Sequence, residues 1–339
     1  MGTITADRII ERLGGGDDTR AWVDWLDSVG EPARPVTLPP GSELVETLLR
    51  LSVAHEDIDT LLALRPTLEG QPDVWWLLER SVAAVGRRMG AVEPWAEIPP
   101  LPAAFGPLRR WFFVYVFVAA LPHVRAYHRE RGIPDDVSWA TLADLGRQMA
   151  VYRKREGESG FDDPVWMTLH FTGAIYQLGR LQFERVRLGN TNGQRLLNAG
   201  APEGPDTPAL SIHIPGYSGP FTPEACEASF AAAATFFARY FPEERYEVGV
   251  CFSWLLDEQL AEYLPETSNI VRFQRRFTPV YRPKDDDAGT LRFVFGLDPS
   301  LPLDAYPQRT TLERSVIGHI RSGRHWHGGV GWLRLPSPG

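Results

Sequence analysis

The chain has 339 residues, 43% hydrophobic and 23% charged, with 43 acidic against 35 basic side chains and a net charge of −8. That length suffices for two domains with cores of their own, and the composition is that of a globular protein rather than a disordered or fibrous one. The acidic balance argues against nonspecific binding to nucleic acid or to an anionic membrane, so neither is expected as a partner, although Arg272, Arg275 and Arg276 could line a local basic groove.

The opening third of the chain carries helical signals only. Trp22, Trp25, Leu26 and Val29 recur at helical spacing, Ser42 is placed to cap a helix from Glu43 to Val53, and residues 56–64 form a short apolar-periodic piece. Asp73 is placed to cap a helix from Val74 to Met89, which Gly90 stops. The proline-rich residues 94–107 read as an extended crossing. Leu108 to Arg131 reads as a long apolar helix, kinked or broken near Pro122. Its most apolar run, Trp111 to Leu121, is too short for the roughly 30 Å of a bilayer core and reads as a buried helix. The first seven residues show no basic segment leading into an apolar core, so a cytoplasmic location is expected. The breaker-rich Gly132–Asp136 then separates an all-helical domain, residues 1–136, from a second domain, residues 137–339.

In the second domain Ser138 is placed to cap a helix to Arg155, and Asp163-Pro164 opens another through Leu178. From Gly179 the period becomes two, with Leu181 and Phe183 set against Arg180, Gln182 and Glu184. A short strand is expected at residues 195–197 and a longer one from Ala209 to Pro215. Gly216–Thr222 forms a turn, Thr222-Pro223 starts a helix, and Cys226, Phe230, Ala233, Phe237 and Tyr240 form its apolar stripe. Val248, Val250 and Phe252 alternate along another strand, Asp257 to Leu264 reads as a short helix, and Ile270 to Tyr281 as a long strand. Residues 285–289 read as a hairpin turn before Leu291, Phe293 and Phe295. Thr310 and Glu313 form a capping box for a helix ending near Ser322, and Trp326 to Leu335 reads as an edge strand. The fold class is therefore α+β.

Cys226 and Cys251 lack the spacing of a disulfide framework or a zinc site and read as buried thiols. His325 and His327 could share one strand face, but no third ligand accompanies them and no metal is expected.

The order strand, helix, strand, short helix, strand from Arg180 to Val294 resembles the GNAT N-acetyltransferase fold. Ile212-His-Ile-Pro-Gly216, Cys251-Phe-Ser-Trp-Leu-Leu-Asp257, the stretch from Leu264 to Phe277, and Gly323-Arg-His-Trp-His327 are similar to a family of actinobacterial acyltransferases. Those proteins pair a helical N-terminal domain with a GNAT-like C-terminal domain. The resemblance implies acyl transfer from an acyl-CoA co-substrate, acetyl or longer, to the amine or hydroxyl of a small-molecule acceptor by direct attack. It leaves the oligomeric state open.

Such chemistry needs an anion site, a dipole for the thioester carbonyl and a path for protons. Amide groups where a strand turns into a helix attract phosphates. Ile214, Gly216, Tyr217, Ser218, Gly219, Thr222 and, across on the next strand, Ser253 are accordingly the candidate coenzyme contacts. The loop departs from the usual glycine-rich GNAT signature, and Pro220 and Pro223 remove two amide donors. That departure keeps open a second reading, a GNAT-like scaffold that binds a ligand or protein partner without catalysis. His213 stands opposite Leu210 and Ile212 on its strand and could deprotonate an amine, since imidazole ordinarily titrates near 6.5. Glu184 on the preceding strand is the competing base. The resemblance places Tyr263 where many GNAT enzymes carry the tyrosine that protonates the departing thiolate. Cys251, paired with His213, is the alternative of a covalent route.

Overall fold

The computed structural model describes residues 4–93, 95 and 97–337. Residues 1–3, part of the leader reading, and Pro94 and Ala96 of the expected crossing lie outside them. The chain divides into two compact units, one of residues up to 153 with 157–174 and one of 154–156 with the residues from 175 onward. The division falls at 174/175 rather than at 136/137. Gly132–Asp136 separates two helices of one unit, because Leu142, Leu145, Met149, Met167 and Phe171 all belong to the helical core.

The first unit is helical throughout its described residues. It contains α1 (Ala6–Arg12), α2 (Asp17–Val29), α3 (Gly41–Arg50), α4 (His55–Glu69), α5 (Pro72–Arg87), α6 (Phe112–Glu130), α7 (Asp135–Leu142), most of α8 (Asp144–Glu156) and α9 (Pro164–Phe171). Phe112 to Leu121 are all buried, so α6 is apolar around its whole circumference, as a central core helix must be. Pro122 lies inside α6 without ending it, and the 50° bend comes earlier, between the 3₁₀ turn Ala103–Arg110 and Phe112. No single helix among the described residues is long and apolar enough to cross a membrane.

Two expected caps serve the core instead. Asp73 is buried and accepts from Arg12 at 3.0 Å, while Gln71 takes the cap position of α5. Ser138 sits inside α7, fully buried, with its Oγ 2.6 Å from His128 Nδ1 and accepting from Arg125. Ser42 lies within the first turn of α3, whose cap position is Pro40.

The second unit is a mixed six-stranded sheet in the order β1-β2-β3-β4-β6-β5. Its elements are β1 (Ile175–Leu178), β2 (Leu181–Arg187), α10 (Asn190–Asn198), β3 (Pro208–His213), α11 (Pro223–Tyr240), β4 (Val248–Ser253), α12 (Asn269–Gln274), β5 (Thr278–Tyr281), α13 (Asp287–Phe295), α14 (Thr311–Arg321) and β6 (Gly329–Arg334). The capping-box helix and the strand-to-helix passage at Thr222 form as the sequence indicates: Ala225 N donates to Thr222 Oγ1 at 3.2 Å, and both bonds of the box at Thr310 are made. The short helix after β4 is a 3₁₀ turn, Glu258–Glu262, capped by Asp257.

Several expected strands are helices, each for a local reason. Ser268 accepts from Val271 N at 3.2 Å and starts α12, which leaves only Thr278–Tyr281 as strand. Asp286 accepts from Gly289 N at 2.8 Å and starts α13, whose Leu291 and Phe295 are buried four residues apart while Phe293 points outward. Residues 195–197 belong to α10. In the opposite direction, α9 ends at Phe171 and Ile175–Leu178 is a strand buried at every position. β6 is interior rather than at the edge. Gly329 and Gly331 permit this, since a Cβ at Gly329 would lie 2.3 Å from the Leu256 carbonyl oxygen and one at Gly331 would lie 2.7 Å from Phe277 Cβ.

The two faces of the sheet differ. Tyr176, Phe183, Leu210 and Ile212 face α11, where Phe183 meets Phe230 with ring centroids 5.9 Å apart. On the other face α10 covers Ala209, Val248 and Trp332, whose Nε1 donates to the Ala199 carbonyl at 3.1 Å.

Two stability predictions follow from this packing. Gly329→Ala drives a methyl group into the Leu256 carbonyl and should lower stability by about 1–3 kcal/mol, read as a fall in urea midpoint; an unchanged midpoint would contradict the crossing at Leu256. Burial, helped by the charge of Arg125, pushes His128 down from 6.5 to about 3. With the folded value below the unfolded one, its contribution is complete above pH 6.5 and is lost as the pH falls toward 3. The wild-type urea midpoint should therefore drop more between pH 6.5 and 4 than that of His128→Asn; parallel profiles would exclude the buried neutral imidazole as the cause.

Candidate active site

β3 and β4 are the only parallel neighbours in the described sheet, and their registered pairing is confined to Leu210↔Gly249 and Ser211↔Val250. Beyond those pairs Ile212 and His213 on one strand, and Cys251 to Ser253 on the other, are no longer laddered together. β4 stays fully paired with β6 on its other side. The sheet therefore parts between its two central strands toward their C-terminal ends.

His213 stands at the end of β3 beside this gap. The β2–β3 register sets Gln182 opposite His213 and Glu184 opposite Ser211, so all four share one face. His213 Nε2 lies 2.8 Å from Glu184 Oε2, and both side chains are partly exposed, 28% and 19%. A carboxylate acceptor fixes the imidazole proton on Nε2 and makes Nδ1 the basic nitrogen. The two residues weighed as rival bases thus form one pair, the carboxylate orienting the imidazole.

The turn after β3 carries the anion-site candidates. Ile214 has left the strand, Tyr217 and Gly219 adopt positive φ of 55° and 82°, and Ser218 Oγ donates to the Gly216 carbonyl at 3.3 Å. Among the described residues, no backbone carbonyl accepts from the amides of Gly216 to Phe221. Two guanidinium groups frame the loop and the first turn of α11. Arg180 donates from Nη1 to the Pro215 carbonyl at 2.9 Å and lies 5.2 Å from the Phe221 ring. Arg276 pairs with Glu227 and lies over Phe230 at 4.9 Å. Both charges act on the Cys226 thiol, which burial nevertheless pushes up. Arg276 was within the basic cluster singled out in the sequence. Arg180 was hidden as one polar residue in an alternating strand, and only the fold brings it to a loop 35 residues away.

The other candidates lie elsewhere. Tyr263 packs in a separate cluster with His319 and Trp326; its hydroxyl is 2.8 Å from His319 Nδ1 and accepts from Arg324 at 3.3 Å. His319 is fully buried, with Nε2 3.2 Å from the His325 carbonyl. That bond requires a proton on Nε2, so the tyrosine hydrogen points to Nδ1. Ser253 caps the 3₁₀ turn Trp254–Leu256, accepting from Leu255 N at 3.1 Å. Cys251 is fully buried on the α11 face, opposite to His213, and burial pushes its thiol up to about 12, which removes the covalent alternative. His325 and His327 pair with Asp287 at 2.7 Å and Asp285 at 3.2 Å. The described residues contain no group of three metal-ligating side chains.

Residues 42–173 match the model of an N-acyltransferase N-terminal domain, and residues 175–333 match that of a GNAT-like C-terminal domain. The seam between the two matches coincides with the division of the structure at 174/175. Among solved structures, an acyltransferase mutant in complex with octanoyl-CoA is 40% identical, with a TM-score of 0.89 over 98% of this chain and 100% of that one. Acyltransferase structures in complex with decanoyl-CoA and teicoplanin, and with CoA and 10C-teicoplanin, match with the same identity, coverage and TM-score. A comparison with curated proteins found no match. Identity of this order along the whole chain sets aside the non-catalytic scaffold: the chain belongs to the acyltransferase family that joins an N-acyltransferase N-terminal domain to a GNAT-like C-terminal domain.

Proposed function

We propose that this acyltransferase moves a medium-length acyl group, octanoyl or decanoyl, from coenzyme A to an amine of teicoplanin or a molecule related to it. The observation that carries the reading is the early end of the β3–β4 ladder, with the His213–Glu184 pair beside the opening. The donors and the acceptor are those bound by solved acyltransferases 40% identical to this chain. In this reading the coenzyme diphosphate lies on the Gly216–Thr222 amides and the start of α11, with Arg180 and Arg276 at its edges. The thioester enters between the parted strands.

His213 Nδ1 takes the proton from the attacking amine while Glu184 holds the ring and balances the charge it gains. The amine nitrogen bonds to the thioester carbon, the carbon–sulfur bond breaks, and the coenzyme leaves as a thiolate that is then protonated. No enzyme acyl intermediate is needed.

Incubation with decanoyl-CoA and teicoplanin should release free thiol in step with an acylated product detected by mass spectrometry. No transfer to any amine, with acyl-CoA demonstrably bound, would overturn the reading. His213→Ala should lower kcat about 10²–10³-fold without altering the melting temperature, and Glu184→Gln should cost about tenfold or more; a His213→Ala enzyme within twofold of wild type would remove the base from this position. Tyr263 would have to break its bond to His319 to act as an acid. Tyr263→Phe should therefore keep kcat within about threefold, and a loss near a hundredfold would restore the phenol as the proton donor.

A further inference from the structure

On the face of the sheet that carries His213, three side chains from three elements form a continuous aromatic and cationic surface. Phe252 on β4, laddered to Val330 of β6, is 56% exposed. Its ring meets that of Tyr281 on β5 edge to face, with centroids 5.9 Å apart. Both residues stand opposite Val330 of the strand between them, and together they roof it, leaving it 4% exposed. From α10 the guanidinium of Arg195 lies 4.2 Å from the Tyr281 ring. Among the described residues no carboxylate pairs with Arg195.

The register ties this surface to the base. Ser211 pairs with Val250, and His213 and Phe252 each lie two residues farther along, hence on the same face of neighbouring strands. A ligand whose amine reaches His213 can therefore extend across the neighbouring strands over Phe252 and Tyr281. Scattered apolar side chains on a surface are ordinary. Two rings in contact, closed at one end by an uncompensated guanidinium and at the other by the His213–Glu184 pair, are a shaped surface with two recognition elements. Aromatic faces and edges take a further aromatic ring in offset or edge-to-face contact, and a guanidinium on a ring takes a carboxylate or another anionic oxygen.

We propose that Phe252, Tyr281 and Arg195 form the acceptor shelf, selecting amines that carry an aromatic ring and an anionic group. This rests on the acyl-transfer reading above and assigns its specificity. The shelf binds acceptor and not donor: the coenzyme diphosphate belongs at the loop before α11, the helix that packs on the opposite face of the sheet.

Steady-state kinetics with decanoyl-CoA and teicoplanin, each varied in turn, test the assignment. Phe252→Ala, Tyr281→Ala and Arg195→Glu should each raise the acceptor KM about tenfold, with the decanoyl-CoA KM within twofold of wild type. Phe252→Leu and Tyr281→Leu, which keep apolar bulk over Val330 but remove the ring, should show the same split if the alanine variants fold poorly. Unmoved acceptor KM values across the set, or a rise in the donor KM instead, would overturn the shelf while leaving acyl transfer intact. A wild-type enzyme that acylates no amine would overturn the reading beneath it and the shelf together.

Discussion

The proposed site depends on two central strands that stop pairing. In its observed register a parallel ladder between β3 and β4 could have run for five pairs, yet its registered pairs number only two. Keeping backbone groups out of a ladder costs stability unless something else satisfies them. The sheet tolerates the gap because each strand is held on its other side, β3 by six registered pairs with β2 and β4 by six with β6. The opening is thus a consequence of a well-paired sheet around it, and an extended thioester can occupy it without unfolding anything.

Charge is distributed around that opening by type. Guanidinium groups, Arg180 and Arg276, gather where the chain turns into α11 and where amides lack backbone acceptors, which suits an anionic coenzyme. An imidazole–carboxylate pair, His213 with Glu184, lies on the opposite face from α11, where the proposed reaction would remove a proton. Thiols are kept out of the chemistry: Cys251 is buried on the α11 side with its thiol pushed up to about 12, and Cys226 is raised too. A chain with an overall charge of −8 still presents local positive charge where the ligand demands it.

Much of this was legible in the sequence wherever a helix start, a period and a buried face agreed. Thr222-Pro223, the capping box at Thr310 and the alternation through Ala209–His213 read correctly because local chemistry and tertiary burial point the same way. The failures share one cause. In Val271 and Phe273, and in Leu291, Phe293 and Phe295, two-residue spacing of apolar groups imitates a strand, while the deciding signals were single caps, Ser268 and Asp286. β6 was misplaced at the edge because its two glycines weaken strand propensity, and only the close approach of Leu256 and Phe277 explains them. For the site, pattern alone named His213 and Glu184 as rivals; the antiparallel register makes them partners. Arg180 and the Phe252–Tyr281–Arg195 surface carry no motif, since their meaning arises from strands and a helix distant in sequence.

The most direct test is a crystal structure of the protein with decanoyl-CoA. The account expects the diphosphate on the Gly216–Thr222 amides, the thioester carbonyl between Ile212–His213 and Cys251–Ser253, and the imidazole of His213 facing the acceptor side of that carbonyl. A coenzyme bound elsewhere, with β3 and β4 closed against each other, would contradict it.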